Sequence, residues 1–173
     1  EAGAGEIGTV GGKTVQQRLN ALHVMLTPKA YGAIGDGVTD DTLAVKACIA
    51  EAVAKRLPIA LTGGRYKISS TIDFTGVFYI ETDTYSSFAV DPTSFTHKDP
   101  AQPYAVTFGD PSTDFRTNRM GAIAVIGQLR VDSLNRNAPM HGVFIKGALM
   151  DFGSLRVVNF DGEGFTVSAC WDS

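Results

Sequence analysis

Apolar residues recur at helical spacing in two places along the chain. In residues 13–26, Val15, Leu19, Leu22 and Leu26 are separated by four, three and four positions, the spacing of a heptad seam. Thr14 is placed to cap this segment, and Thr27-Pro28 to end it. The pattern predicts a short neck helix whose narrow stripe can pack on its own chain or on copies of itself. The second stripe is Val45, Cys48, Ile49, Ala52 and Val53, with Lys46, Glu51 and Lys55 off it. It predicts an amphipathic helix over about 39–56, ended by Pro58.

After that helix the apolar period falls from 3.6 to 2. "PIALTGGRYKISSTIDF" (58–74) holds two strand-like pieces split by Gly63-Gly64, and "GVFYIE" (76–81) is another. Residues 81–119 carry Pro92, Pro100, Pro103 and Pro111 among many Asp, Ser and Thr, with "YAVTFG" (104–109) as the one clear strand. So long an excursion reads as a surface insertion. From residue 121 the chain repeats. "IGQLRV" (126–131) returns as "FGSLRV" (152–157), and "GVFI" (142–145) as "GFTV" (164–167). Short β segments recurring without helices between them predict a β-solenoid, its coils beginning near residue 121.

The stretch "YGAIGDGVTDDT" (31–42) brings carboxylates together ahead of the second helix. Gly35-Asp36-Gly37 supplies residues that tolerate a turn, and Thr39 is a good N-cap. Asp40 and Asp41 then fall in the first helical turn, where negative charge meets the positive end of the helix dipole. The expected role of Asp36, Gly37, Thr39, Asp40 and Asp41 is therefore a structural cap, with no metal and no cofactor.

Composition narrows the partners. The formal net charge is −3 and Lys and Arg are scattered, which does not fit nucleic-acid binding. No apolar run approaches a membrane span, and residues 1–6 lack the basic and apolar regions of a secretory signal. Two cysteines, Cys48 and Cys170, make no disulfide framework and read as core thiols; none of His23, His97 and His141 stands in a nucleophile motif.

The segments "YGAIGDGVTDDTLAVKACIAEA" (31–52) and "LPIALTGGRYKISSTI" (57–72) resemble the start of the pectate-lyase-like β-helix domain. There an aromatic-Gly-Ala-x-Gly-Asp-Gly-x-Thr-Asp-Asp-Thr run leads into a capping helix, and a Gly-x-Tyr-x-Ile-Ser-Ser-like strand follows. "GTVGGKTVQQRLNAL" (8–22) just upstream resembles the entry to bacteriophage tailspikes and tail fibres. The resemblance implies an all-β fold: a right-handed parallel β-helix with an N-terminal capping helix and a neck helix. Residues 1–26 would be linker and neck. Residues 27–173 would begin the β-helix domain, and the chain is expected to stop within that domain.

What the resemblance implies about function is a virion tail protein, made in the host bacterial cytoplasm. It would trimerise through Val15, Leu19, Leu22 and Leu26, dock on other tail or baseplate proteins, and recognise bacterial capsule or lipopolysaccharide. The full-length protein would act as a depolymerase, lyase or hydrolase; the alternative is a non-catalytic adhesive fibre module. A secreted pectinase-type enzyme fits less well, given the neck segment.

Cleavage of a glycan by hydrolysis needs paired carboxylates. Candidates on outward positions are Asp132, Asp151, Asp161 and Glu163, of which Asp161 and Glu163 flank a glycine turn in "FDGEGF" (160–165). Their plainer reading is a solvated turn between coils. Trp171, the single tryptophan, is the candidate for stacking on a sugar ring. His141 reads as a turn histidine. The catalytic groove is expected outside residues 1–173.

Overall fold

The computed structural model describes residues 24–93, 104–109, 123–135, 140–146, 150–162 and 164–168. Among these the chain forms a 3-10 turn (Pro28–Tyr31), strand β1 (Asp36–Asp40), helix α1 (Thr42–Lys55) and strands β2 (Ile59–Leu61), β3 (Arg65–Ile68), β4 (Ile72–Asp73), β5 (Tyr79–Thr82) and β6 (Ser87–Val90). Strands β7 (Tyr104–Phe108), β8 (Ile123–Ser133), β9 (His141–Lys146), β10 (Met150–Val158) and β11 (Phe165–Ser168) follow.

The strands pair in parallel and stack in three columns. The first column runs β2, β5 and the opening halves of β8 and β10. The second runs β1, β3, β6 and the closing halves of β8 and β10. The third runs β4, β7, β9 and β11. Each pass of the chain contributes one strand to each column, then starts the next layer. The result is an all-β, solenoid-like stack closed at its first layer by one helix.

Alternation sets the columns' inner faces. Ile59, Ile80 and Val125 share one register line, and Ile72, Val106 and Val143 another; all six are buried. Inside, Phe74 lies parallel to Phe108 with ring centroids 5.2 Å apart and tilts against Phe88 at 6.1 Å. Such aromatic pairs add about 0.5–1.5 kcal/mol each beyond the burial of their area.

Helix α1 packs across β2, β3 and β4, burying Val45, Cys48, Ile49 and Ala52 as the stripe predicts. Val53, expected on that stripe, is 38% exposed and lies over Gly76 instead. The helix begins at Thr42, so Thr39 and Asp40 belong to β1 rather than to its first turn. It ends before Pro58: Arg56 takes a left-handed conformation (φ 52°) and the Leu57 N–H reaches back to Ala52 O at 2.9 Å, a C-terminal lock of the Schellman kind.

Strand β8 belongs to two columns because it turns a corner at Gly127. That residue has φ 96°, and a Cβ there would sit 2.1 Å from Thr82 O of the layer before. Only glycine allows both the backbone angle and the approach. Gly153 crosses the same corner one layer on, where the register shifts between Phe152 and Ser154. The two repeated motifs are thus successive layers. Their third-column partners keep the spacing too, with Phe165 opposite Val143.

The layers begin earlier than residue 121, at Ile59. The stretch expected as an insertion contains β6, whose Phe88, Ala89 and Val90 are wholly or almost wholly buried between β3 and β8. A strand of four residues between two turns is too short for a period-2 signal to stand out. Leu26 also departs from the sequence reading. It is not helical: it bridges to Ile59, its N–H donating to Pro58 O at 2.9 Å and its carbonyl accepting from Ala60 N–H at 2.8 Å. Its side chain packs against this chain's own core. Val15, Leu19 and Leu22 lie outside the described residues.

Candidate functional site

In the second column Tyr66, Ile68, Leu129 and Val131 point inward, so the residues between them point out. Arg65 stands beside Ser87, Lys67 beside Ala89, Ala89 beside Asp132, and Arg130 beside Arg156. Layers are about 4.8 Å apart, so these side chains form a charged ladder up one flat face. Because Ser87 and Ala89 are small, Arg65 reaches over that layer. Its guanidinium lies 3.6 Å from Asp132 Oδ2, and Arg130 lies 3.0 Å from the same oxygen.

The other oxygen of Asp132 accepts from the side-chain amide of Asn159 at 2.9 Å. Asn159 holds a left-handed φ of 67° as β10 ends, and its amide also faces Ser133 O at 3.4 Å. Asp132 is 8% exposed, with two guanidiniums above it. Arg130 Nε is buried with no acceptor among the described residues. Lys67 is paired with Asp91 at 3.0 Å on the same face. The Thr93 hydroxyl first, and then that pairing, hold the Asp91 carboxyl far below the ordinary carboxylate range.

The carboxylates upstream of α1 are used by the backbone. Asp36 Oδ1 accepts the N–H groups of Val38 and Thr39, each at 2.8 Å, and Oδ2 the Thr39 hydroxyl; these bonds, the Thr39 N–H first, lower its pKa. Asp40 accepts the N–H of Thr42 at 2.9 Å and the hydroxyls of Thr42 and Ser69. Burial pushes the Asp40 carboxyl up, yet the hydroxyls outweigh it and the net shift is downward. Asp41, at the N-cap position, does not cap through its side chain. Its carboxylate, 2% exposed, turns back to the preceding loop and accepts Ile34 N–H at 2.7 Å and Gly35 N–H at 3.0 Å. Thr39, the expected N-cap, is exposed and bonded to Asp36. Gly37 has φ 77° beside Arg65.

The remaining candidates scatter. Asp161 is exposed on the turn between β10 and β11, where the Gly162 N–H donates to Met140 O at 3.3 Å. Glu163 and Trp171 lie outside the described residues. Asp151 lies in β10 opposite Ala124. His141 opens strand β9 rather than a turn, its ring 4.9 Å from that of Tyr104. Cys48 is fully buried, and desolvation pushes its thiol up to about 12, which keeps it protonated and unreactive at neutral pH; Cys170 lies outside the described residues. Among the described residues every carboxyl with a shifted pKa is held low, as at Asp36, Asp40, Glu51, Asp83 and Asp91. A general acid needs the opposite shift.

The ladder sets guanidiniums, an amide and one shared carboxylate side by side on one face of the sheet. Sequence reasoning singled out Asp132 but missed Arg65, Arg130 and Asn159. The available signal was alternation, since Arg-x-Lys at 65–67 and Arg-x-Asp at 130–132 put charge on every second residue of a buried strand.

Known proteins resemble part of this chain. Over 55 residues, 32% of its length, it is 53% identical to "Depolymerase 1, capsule K30/K69-specific" of Klebsiella phage K5-2. Over 52 residues, 30% of its length, it is 42% identical to "Depolymerase 1, capsule KN3-specific" of Klebsiella phage KN3-1. The match spans 7% of each of these relatives. No family model matches, and no solved structure does. Over about a third of its length the chain is thus related to phage capsule depolymerases.

Proposed function

We propose that this chain is the N-terminal part of a phage tailspike or tail fibre, built on a right-handed parallel β-helix of the pectate-lyase-like kind. It joins the virion through other tail or baseplate proteins and recognises the capsule or lipopolysaccharide of the host bacterium. The observation that carries this is the 53% identity to a phage capsule depolymerase, in a chain whose strands stack in parallel columns beneath one helix. Val15, Leu19 and Leu22 form the seam of a parallel homotrimer in this reading. Leu26, the last position of that spacing, is bridged to its own Ile59. The cleavage chemistry belongs to the remainder of the full-length protein.

The test is incubation of the full-length protein with purified capsule. New reducing ends with ultraviolet absorbance of an unsaturated uronate mean a lyase; reducing ends without it mean a hydrolase. A non-catalytic adhesin is the second reading. Binding without new ends would select it. Mass measurement in solution decides the trimer, which a monomer at micromolar concentration would exclude.

A further inference from the structure

We propose that the outer face of the first column, centred on Tyr79, Ala124 and Ile126, is the surface on which a second copy of this chain packs. This rests on the homotrimer reading above and adds the face by which the stacks meet. In that column Ile59, Leu61, Ile80 and Val125 are buried inside, so the residues between them point out. Ala60, Glu81 and Ile126 share one outward register line, and Tyr79, Ala124 and Asp151 the next. Ile126 is 44% exposed, and Phe78, just ahead of β5, is 45% exposed. Two carboxylates, Glu81 and Asp151, are the charges on these lines; the rest is apolar or aromatic. Interface cores have that composition, poor in charge and rich in aromatic rings.

The other two columns are less suited. The second carries the charged ladder, with Asp36 and Asp40 in register with Arg65 and Lys67, and Asp91 and Asp132 in ion pairs. Burying that many charges against a neighbour costs desolvation that their attraction does not readily return. On the third, Ala105, Thr107, Phe144 and Lys146 alternate with the inner residues yet are all buried, so the chain itself already covers that side. What selects a second copy as the occupant of the first column is where the chain enters. Leu26 adds a rung to the foot of this column, its N–H bonded to Pro58 O and its carbonyl to Ala60 N–H. Leu22, read as part of the trimer seam, is four positions upstream, and four residues of chain reach at most about 14 Å. The first column therefore stands within that distance of the seam, and its open face is the one that neighbouring stacks meet.

The test places the photoreactive residue p-benzoylphenylalanine in the full-length protein in place of Ile126. Irradiation should join copies covalently, giving dimer and trimer bands on a denaturing gel. Mixing light and isotope-labelled copies before irradiation shows by mass spectrometry that the joined peptides come from different chains. Separately, Ile126→Arg should raise the protein concentration at which the trimer dissociates by about tenfold or more, read by sedimentation, because each copy would bury a charge without a partner. Ile126→Val should leave it unchanged. A trimeric protein that gives no crosslink between chains from position 126 would overturn the assigned face and leave the trimer standing. A folded Ile126→Arg variant whose trimer is as stable as the parent's would do the same; should that variant not fold, the crosslink alone decides. A parent protein that is monomeric at micromolar concentration would overturn both the face and the trimer.

Discussion

Replacing Asp41 by alanine should open the loop before α1 while leaving the layers behind it closed. The dipole reading of the sequence gives each carboxylate ahead of the helix about 0.3–1 kcal/mol. The geometry raises that value most for Asp41, the one of the three that is buried. Its buried carboxylate accepts two backbone N–H groups, Ile34 at 2.7 Å and Gly35 at 3.0 Å. A hydrogen bond to a charged group contributes about 1.5–3 kcal/mol, and removing the acceptor strands its donors. Taking the lower end for two part-buried donors gives a loss of about 3 kcal/mol. Hydrogen exchange followed by mass spectrometry on peptides covering residues 31–41 of the full-length protein reads this directly. Since 1.4 kcal/mol is tenfold, the Ile34 and Gly35 amides should exchange about a hundredfold faster. Asp41→Asn keeps one acceptor oxygen and should fall between. Asp40→Ala, which removes an exposed acceptor, should cost about 1 kcal/mol. An Asp41→Ala effect no greater than fivefold, or equal to that of Asp40→Ala, would refute the assignment.

Gly127→Ala should be among the worst single changes in the chain, costing about 3 kcal/mol or more, because backbone strain at φ 96° adds to a clash with Thr82 O; soluble yield and unfolding midpoint would show it, and a normally stable variant would disprove the corner. Arg56→Gly should raise the unfolding midpoint slightly, relieving a left-handed arginine at φ 52° of about 1 kcal/mol, less the entropy glycine loses on folding. Acid should destabilise in a defined window. Asp40, Asp83 and Asp91 have folded pKa values below the unfolded value of 3.8, so their contribution is complete above that value and is lost as pH falls through the folded values. Melting points should be level above about pH 5 and drop below about pH 4, less steeply in Asp91→Asn.

The parts of the fold that repeat were legible in the sequence, and the parts that answer to one neighbour were not. The helix stripe and the two glycine-marked motifs carry a period, and a period survives without coordinates. Gly127 and Gly153 recur because both layers turn the same corner. By contrast, Asp41 turns away from the helix it precedes, and no local rule separates it from Asp40. Leu26 completes a heptad spacing yet follows Ile59 into the first layer, because pairing with a strand satisfies its backbone as well as its side chain. Arg65 and Asp132 stand 67 positions apart in the chain and meet only because Ser87 and Ala89 are small.

The stack also has a mechanical grain. Its hydrogen bonds run along the stacking direction, so tension along that direction loads the layers in series and the thinnest junction yields first. That junction lies near α1, where β4 contributes only Ile72 and Asp73, whereas β10 pairs with β8 along almost its whole length. The ladder thus thickens away from the helix. Strand β8, bent at Gly127, ties two columns into one member, so neither can peel without the other. A pull along the stack should part the first layers before the later ones, while a push presses every layer onto the next.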